Sequence, residues 1–489
     1  MKSHTLFLPF NLPLLRRSPR STQQKMAEEI RILKEKSFSQ LGECFAKFIP
    51  NKYLRQSESG SLSRRRVFTK ETTFWAFFLQ VLDADGGCQE VVRKIHAYAA
   101  MKSKPLPSSS TGAYCQARKK LGLSSLQSIF QHLAQRLQNA TTPKLLNGRR
   151  VIVVDGTGVS MPDTEENQQE WPQYSNQKPG CGFPQAAICA CFNLHNGALL
   201  SYEIGNKKSH ELPLLRKQWN TFKSNDIFLA DKLFCSYFDI FSLKERGVDS
   251  IIPLARRRPV SEAKAVKKLG DNDLLIEWKK PKRSKASSYS QADWEALPDT
   301  LLLRQIKVMV NQTGFRVTSF YIITTLLDIV QYPASEIAET YFQRWDVELF
   351  FRDIKTTMGM DILRCKSPDM VRKEILMHLI AYNCIRSLMA EAADRKHVEL
   401  CRISFKASVQ ALRQWEPHLN QSSNTRQQRN HLIQMLCEAI AGKTVPHRPG
   451  RSEPRVVKRR PKPYPLLTRP RGEINQTSHN AKSGLNQLN

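Results

Sequence analysis

The sequence predicts an α/β protein in which a helical N-terminal region precedes an α/β core interrupted by a β-rich insertion. Three observations support this fold class. Apolar residues recur at helical spacing before Asn147, short β-branched runs begin at Arg149, and strand-like runs return within residues 256–332. At 489 residues the chain has room for about two to four domains.

The helical region is predicted from Met26 to about Asn147. Its segments with helical spacing are 27–49, 70–82, 89–101, 112–121 and 124–137. The last two resemble a helix-turn-helix, although an ordinary helical hairpin with a solvated basic face explains the same pattern slightly better. Four aromatic residues of the second segment are expected in the core: Phe74, Trp75, Phe77 and Phe78.

The core is predicted to begin with the β-branched run Val151-Ile-Val-Val-Asp155, which ends in an aspartate and a glycine turn. Further strands are predicted at 186–192, 198–204 and 226–230. The last of them ends in Asp231, so two strands each deliver an aspartate at their carboxyl end. Cys189 and Cys191 share one face of a strand, which favours a core position over a metal site.

Residues 256–332 are predicted to form an inserted, mostly β module. A lysine-rich, partly loop-like stretch at 264–285 precedes strands at 300–310 and 315–325, which a hairpin around 311–314 joins. Helices resume at Ser335 and continue to about Arg395, then again over 404–440. The tail at 443–471 is rich in Pro, Lys and Arg and has too few apolar residues to fold alone.

These segments give seven predicted units. They are a disordered leader (1–25), the helical N-terminal region (26–148), the first part of the core (149–255), the insertion (256–332), the second part of the core (333–400), a C-terminal helical region (401–441) and a flexible basic tail (442–489).

Charge and cysteine usage narrow the class of protein. Lys and Arg number 75 against 44 Asp and Glu, a net charge of +31, which favours a polyanionic partner such as nucleic acid. The chain has no apolar run of the roughly 18 residues that a membrane span requires. The apolar stretch 6–15 is followed, not preceded, by arginines, unlike a signal peptide. The 11 cysteines include no CxxC pair, which indicates a reducing cytosol.

Four polar residues between 341 and 355 have spacings that are meaningful on a helix. At about 100° per residue, Tyr341, Arg344, Glu348 and Lys355 fall within an arc of about 60°. The other faces are apolar, so the segment is predicted to be a buried helix. A buried carboxylate beside two cations and a phenol is costly unless a charged group lies opposite. A metal ion and a phosphate would satisfy all four groups.

Three acidic residues are candidates for a metal site: Asp155 and Asp231 at strand ends, and Glu348 on the predicted helix. Magnesium favours carboxylate oxygens, and a pair of such ions suits phosphodiester displacement. Each residue alone could equally be structural, either as a turn aspartate or as an ion-pair partner of Arg344. For all three together in a basic protein, the metal site is the better interpretation. His210 and His378 are each isolated in the sequence and are expected to be structural.

The pattern Tyr341-x2-Arg344-x3-Glu348-x6-Lys355 resembles the signature of the insertion-sequence-four family of DDE transposases. The block 155–164 (DGTGVSMPDT) is similar to that family's first-aspartate block, and 226–231 (DIFLAD) with 234–237 (FCSY) is similar to its second. The likeness extends over roughly residues 60 to 472. One departure is Lys232-Leu233, where the family has Arg-Gly after the second aspartate.

The resemblance implies a ribonuclease-H-like catalytic core in which Asp155, Asp231 and Glu348 hold two Mg²⁺ ions, with Mn²⁺ as a substitute. The implied activity is cut-and-paste transposition, in which hydrolysis at the element's ends frees 3′-hydroxyls that are then joined to target DNA. Two other readings stay open: a DNA nuclease without strand transfer, and an inactive DNA-binding relative.

The resemblance also implies partners and roles. Tyr341, Arg344 and Lys355 would bind DNA near the cleaved end, and the helical N-terminal region would bind the terminal inverted repeats. The protein would act on double-stranded DNA as a homodimer in the synaptic complex, in the bacterial cytoplasm on the nucleoid. Some relatives capture a flipped base with an aromatic residue of the insertion, for which three residues are candidates: Trp278, Trp294 and Phe320.

Overall fold

The structure is a computed structural model that describes most of the chain between Phe45 and Ile474. The described residues are 45, 48–56, 59–63, 67–83, 85–101, 103, 105–138, 146–206, 211–254, 259–283, 289–310, 319–419, 425–446 and 465–474. The predicted leader, most of the predicted helix at 27–49, the hairpin turn at 311–314 and His210 lie outside these ranges. In the described ranges, no helix is long and apolar enough to cross a membrane.

Four helices form the described N-terminal region: α1 (Lys70–Leu82), α2 (Cys88–Met101), α3 (Gly112–Lys120) and α4 (Leu123–Gln138). Their bounds lie within one residue of the predicted ones. The side chain of Thr69 caps α1 by accepting a hydrogen bond from the backbone N–H of Thr72 at 3.1 Å. The aromatic cluster of α1 is buried as predicted, which places it in the core.

A nine-stranded mixed sheet forms the centre of the protein, with the strand order β3-β2-β1-β4-β5-β9-β8-β7-β6. Its first five strands are β1 (Val151–Ser160), β2 (Gln185–Asn193), β3 (Leu199–Asn206), β4 (Ile227–Ala230) and β5 (Asp249–Pro253). Strands β1 to β3 are antiparallel neighbours, whereas β4 runs parallel to β1 and β5 runs parallel to β4. Three short helices connect these strands along the chain: α5 (Glu165–Glu170), α6 (Glu211–Arg216) and α7 (Tyr237–Glu245).

The insertion extends this sheet. It contributes β6 (Lys267–Gly270), β7 (Asp273–Lys279), helix α8 (Gln291–Glu295), β8 (Thr300–Met309) and β9 (Ser319–Thr324). The last strand pairs antiparallel with β5, with Ile251 opposite Thr324. Strands β5, β6 and β7 were missed by the sequence pattern, because β5 is short and the lysines of β6 mask its strand character.

The segment with the four polar residues is not one regular helix, so that prediction is wrong. Helix α9 (Ala334–Phe342) passes through a 3₁₀ turn at Gln343–Trp345 into α10 (Asp346–Arg352), which ends in a π-helical turn at Asp353–Thr357. The prediction that the segment is buried is correct only in part: Tyr341 and Arg344 are buried, whereas Glu348 is exposed and Leu349 keeps 44% of its surface in solvent. Three helices follow: α11 (Pro368–Lys396), α12 (Phe405–Leu419) and α13 (Arg426–Ala441).

The two faces of the sheet are covered by different helices. Val151 and Val153 of β1 belong to a large apolar cluster that includes α10, α11 and the N-terminal helices. Ile152 and Val154 belong to a second cluster with α6 and α7, which also contains Cys189 and Cys191 as predicted. Because side chains alternate along a strand, Asp155 lies on the same face of the sheet as Val153, towards α10.

Candidate active site

Asp155 and Asp231 are lateral neighbours in the sheet. The prediction that a glycine turn ends the first strand at Asp155 is wrong, because β1 continues to Ser160 and Asp155 lies in its middle. Strands β1 and β4 are parallel and pair Val154 with Ala230, so the next residues along them are Asp155 and Asp231. Adjacent strands lie about 4.8 Å apart. Asp155 Oδ1 accepts a hydrogen bond from the N–H of Gly156 at 2.8 Å, and Asp231 Oδ1 accepts one from the N–H of Leu233 at 2.7 Å.

Asp231 opens a 3₁₀ turn, Lys232–Phe234, for which its own side chain provides the cap. The departure from the family pattern falls in this turn, and Leu233 keeps 63% of its surface in solvent. The turn therefore holds the aspartate by a backbone hydrogen bond that does not depend on the side chains at 232 and 233.

Glu348 joins the two aspartates through the packing of α10 against β1. The pKa of Asp155 is raised to about 6, mainly by burial; the negative charges of Asp231 and Glu348 contribute to the rise, while the Gly156 N–H and Arg344 oppose it. Asp155 thus lies within electrostatic reach of both other carboxylates and of one guanidinium. Among the described side chains no ion pair joins Glu348 to Arg344, so the structural ion-pair alternative has no contact to support it.

The charges of Asp231 and Glu348 affect Asp155, but the three carboxylates are not arranged as a ready metal-binding site. Across the described part of the chain, no group of three His, Cys, Asp or Glu side chains is placed closely enough to hold a metal ion. The donor set nevertheless fits a hard divalent cation, since it consists of carboxylate oxygens only. The mutual repulsion of these carboxylates, seen at Asp155, is also what such a cation would offset.

Tyr341 and Arg344 form the cationic and aromatic side of this site. Arg344 is 7% exposed, and its guanidinium lies 5.8 Å from the ring centre of Tyr341 and 4.6 Å from that of Trp345. Its Nε is buried with no hydrogen-bond partner among the described atoms. Burial raises the pKa of Tyr341, and a hydrogen bond with Arg344 opposes that rise. An anionic ligand could accept a hydrogen bond from this Nε–H and offset the charge of Arg344.

Lys355 is the predicted site residue that the structure does not connect to the others. It lies half-buried in the π-helical turn that follows α10. In the described ranges its ammonium forms no ion pair within 4.0 Å, and its carbonyl accepts a hydrogen bond from Asp361 at 3.4 Å. Its position along the segment leaves its charge free for a ligand.

The three aromatic candidates of the insertion differ in their surroundings. Trp278 packs edge-on against Tyr237 at 5.5 Å, and Trp294 stacks near Tyr289 at 6.2 Å. Phe320 on β9 lies 5.2 Å from the ring of Tyr341. Of the three, Phe320 is the one with a described ring contact to the signature segment.

Two residues near the site were not predicted from the sequence. Trp345 is 37% exposed and stacks on Arg344; its place directly after the arginine of the signature was the available signal. Glu211 of α6 places its carboxylate against the backbone of Gly156, where an added Cβ would lie 2.0 Å from Oε1. No periodicity could reveal that contact, since the two residues are separated by two strands.

Comparisons with known proteins agree with this arrangement. Residues 146–384 match the family model described as Transposase DDE domain. The chain is therefore a DDE transposase, an enzyme that acts on DNA and belongs to a class that depends on a divalent metal ion. It is a member of the insertion-sequence-four family predicted from its signature.

Individual relatives are similar to different extents. Transposase InsG for insertion sequence element IS4, from Escherichia coli strain K12, is 27% identical over 415 residues, which cover 84% of this chain and 90% of that protein. The transposase for insertion sequence element IS421 of Escherichia coli is 30% identical over 73 residues, 15% of this chain and 20% of that one. A piggyBac transposase, solved by cryo-EM as a synaptic complex with hairpin DNA, has a TM-score of 0.46 and 11% identity, over 85% of this chain and 87% of that chain.

Proposed function

We propose that this transposase moves an insertion sequence by cutting and joining DNA. It binds the terminal inverted repeats, cleaves the ends by Mg²⁺-dependent phosphodiester hydrolysis and joins the 3′ ends to target DNA. The observation that supports this proposal best is the lateral pairing of Asp155 with Asp231, with Glu348 in electrostatic reach of Asp155.

The catalytic core of the proposal is ribonuclease-H-like. Its support is the order β3-β2-β1-β4-β5, in which an antiparallel three-stranded meander is followed by two parallel strands. The proposed unit boundaries are those predicted from the sequence: the first part of the core at 149–255, the insertion at 256–332 and the second part of the core at 333–400. The insertion then widens the core sheet at the edge of β5.

Asp155, Asp231 and Glu348 are the residues that would hold two Mg²⁺ ions, or Mn²⁺ as a substitute. When bound, these ions supply the positive charge that activates the attacking oxygen and stabilises the leaving one. The backbone N–H groups of Gly156 and Leu233 fix one oxygen of each aspartate, at 2.8 and 2.7 Å. The remaining carboxylate oxygens are thereby oriented before any ligand binds.

Tyr341, Arg344 and Lys355 would hold the DNA phosphates next to the cleaved bond. The buried guanidinium of Arg344 is kept in place by the two aromatic rings that flank it. Positive charge held in a partly buried site stabilises an anionic transition state more than charge in water does. The same residues therefore contribute to binding and to the rate of cleavage.

The parts of the chain outside the catalytic core would recognise the DNA. The helical N-terminal region binds the inverted repeats, and the basic insertion and tail add phosphate contacts that depend on salt. Two copies of the chain bring the two element ends together in a synaptic complex, in the bacterial cytoplasm on the nucleoid. The helix-turn-helix-like pair α3 and α4 is the first candidate to read sequence, since Lys119 and Lys120 are exposed in the last turn of α3.

The test separates metal-dependent chemistry from DNA binding. Asp155→Asn, Asp231→Asn and Glu348→Gln are each expected to reduce Mg²⁺-dependent cleavage of an element-end duplex by at least about 1,000-fold. Binding of that duplex in a mobility-shift assay should stay within about threefold of the wild type. Asp271→Asn and Glu339→Gln are matched controls, since both side chains are exposed. Near-normal cleavage by any of the three site variants would contradict the assignment.

A second measurement distinguishes transposition from simple nuclease activity. A pre-cleaved element end with a free 3′-hydroxyl is offered together with supercoiled plasmid DNA. The proposed function predicts joined products with the wild type and none with the three site variants. Cleavage of intact ends without joining of pre-cleaved ends would identify the chain as a nuclease.

A further inference from the structure

Two thiols lie in contact within the helical N-terminal region. The Sγ atoms of Cys88 and Cys115 are 3.8 Å apart. Cys88 begins α2 and Cys115 lies in the first half of α3, so the contact joins two separate helices. Both side chains are half-buried, which leaves them accessible to a small reagent.

A buried polar network fixes Cys88 in this position. Arg118 donates hydrogen bonds to Cys88 Sγ at 3.3 Å and to Gln80 Oε1 at 2.9 Å. The amide of Gln80 donates to Cys88 Sγ at 3.6 Å and to the carbonyl of Gly86 at 2.8 Å, and Tyr114 donates to Gln80 Oε1 at 2.7 Å. The network leaves the sulfur of Cys88 facing Cys115.

The charge at this site disfavours a bound metal. The guanidinium of Arg118 is 8% exposed and donates to Cys88 Sγ, so a cation on that sulfur would meet a buried positive charge. A third thiol, Cys365, is near Arg118 but is 6% exposed, and its backbone N–H donates to Glu374 at 2.9 Å. Oxidation of the pair Cys88–Cys115 remains the chemistry that the arrangement suits.

We propose that Cys88 and Cys115 form a thiol-oxidation site that closes to a reversible disulfide when the chain meets a hydroperoxide. The peroxide transfers one oxygen atom to the thiol of Cys115, which becomes a sulfenic acid, and is reduced to water if it is hydrogen peroxide or to the alcohol if it is an organic hydroperoxide. The sulfur of Cys88 then attacks that sulfenic sulfur, the S–S bond forms, and the hydroxyl group leaves as water. A dithiol reductant reverses the reaction by thiol–disulfide exchange.

The required movement is small. A disulfide has an S–S distance of about 2.05 Å, so the two sulfurs, now 3.8 Å apart, must approach each other by less than about 2 Å. Hydrogen bonds from Arg118 and Gln80 hold the sulfur of Cys88 in place. The sulfur of Cys115 is not held by these two side chains, so it is assigned as the one that meets the peroxide first. The bond would fix the start of α2 to α3 and limit their relative motion.

The primary test measures the bond itself and does not depend on DNA. The reduced full-length chain is treated with hydrogen peroxide under native conditions, and mass spectrometry is expected to show a loss of 2 Da and a crosslinked peptide containing Cys88 and Cys115. Dithiothreitol should restore the original mass. Addition of one to three oxygen atoms to separate cysteines, or a crosslink between other cysteines, would overturn the proposal.

Matched variants exclude an indirect effect. Cys88→Ser and Cys115→Ser should each abolish the crosslink, whereas Cys401→Ser, which removes an exposed thiol, should leave it intact. Oxidation should raise the Tm of the wild type by several degrees and leave the Tm of Cys115→Ser unchanged. If a serine variant fails to fold, blocking of the native thiols with N-ethylmaleimide gives the same test: the crosslink must disappear. Because no readout uses cleavage, failure here and failure of the proposed transposition are distinguishable.

Discussion

The side chain of Glu211 lies directly over the Cα of Gly156. A Cβ added at Gly156 would lie 2.0 Å from Glu211 Oε1, 2.4 Å from Cδ and 2.9 Å from Cγ. Gly156 follows Asp155 on β1, and successive residues of a strand face opposite sides of the sheet. Burial raises the pKa of Cys189, which pairs with Gly156, and the charges of Glu211 and Asp155 both add to that rise. A fourth carboxylate thus lies behind the candidate active site.

We predict that Gly156→Ala displaces the carboxylate of Glu211 and leaves the fold intact, because the atoms in the way belong to the flexible end of that side chain. Moving this negative charge away from Asp155 weakens the attraction for a divalent cation. The Mg²⁺ concentration for half-maximal cleavage should rise about threefold, as expected for a charge interaction of under about 1 kcal/mol. Titration of cleavage against Mg²⁺ measures this change.

The companion variants test the cause. Glu211→Ala should shift the Mg²⁺ titration at least as much as Gly156→Ala does, and the double variant should shift it no further than Glu211→Ala, because both changes act through the same carboxylate. Additive effects in the double variant, or a large loss of stability in Gly156→Ala alone, would show that the glycine acts through the backbone of β1.

A buried ion pair in the insertion is predicted to stabilise the whole sheet. Arg304 of β8 donates to Asp273 of β7 at 2.9 and 2.6 Å and to the carbonyl of Tyr332 at 2.6 Å, and the arginine is 1% exposed. Arg304→Met leaves a buried carboxylate without its partner, which should lower the free energy of unfolding by about 3–5 kcal/mol. Denaturant unfolding measures the loss.

An exposed pair offers the control for that experiment. Lys268 and Asp271 lie 3.6 Å apart, but the side chain of Asp271 is 98% exposed. Asp271→Ala should therefore change the free energy of unfolding by no more than about 1 kcal/mol. Similar losses in Asp271→Ala and Arg304→Met would argue against a special role for the buried pair.

His378 is predicted to make the protein less stable in acid. The pKa of His378 is lowered to about 3, mainly by burial and in part by the positive charge of Arg364. The folded state therefore favours the neutral imidazole, and unfolding takes up a proton once the pH is below the ordinary value of about 6.5. Stability is present in full above that pH and falls, as pH falls towards 3, by about 1.4 kcal/mol per pH unit.

The measurement compares urea unfolding of the wild type and His378→Gln between pH 7 and pH 4.5. Other groups titrate in both proteins, so the difference between their stability curves isolates the imidazole. The variant should lose stability less steeply as the pH falls. Parallel curves would show that His378 keeps an ordinary pKa in the folded state.

Much of the site could be predicted because its parts are locally encoded. Asp155 and Asp231 each follow a short β-branched or apolar run, and their proximity follows once both runs are placed side by side in one parallel pair, although β1 continues past Asp155 to Ser160. The angular argument for residues 341–355 failed in its geometry, because a constant 100° per residue cannot anticipate a 3₁₀ turn and a π-helical turn. The pairing of β5 with β9 was hidden for another reason: it joins residues about 70 positions apart, and long-range pairing leaves no periodic trace.

The insertion is predicted to influence catalysis through Phe320. Its ring lies 5.2 Å from that of Tyr341 and 6.1 Å from that of Phe342, at the point where β9 meets the signature segment. Phe320→Ala should allow Tyr341 to move and should reduce cleavage about tenfold, with a stability loss of about 1–3 kcal/mol. Phe320→Leu keeps most of the packing volume and should keep most of the activity. Equal loss in both variants would instead indicate that the aromatic ring itself touches DNA.

Lys355 is predicted to act on DNA and not on folding. Its ammonium lies in the π-helical turn with no ion pair among the described side chains, so Lys355→Ala should leave the Tm within about 2 °C of the wild type. If the ammonium neutralises one phosphate, the variant should bind element ends more weakly, and the slope of log K against log salt should be smaller by about 0.9. Lys355→Arg should restore both affinity and slope.

Lys396→Ala, which removes a surface lysine 3.4 Å from Glu438, serves as the control and should leave the slope unchanged. A lower Tm with an unaltered salt slope would make Lys355 a structural residue, and the phosphate contact would then rest on Arg344 and Tyr341 alone.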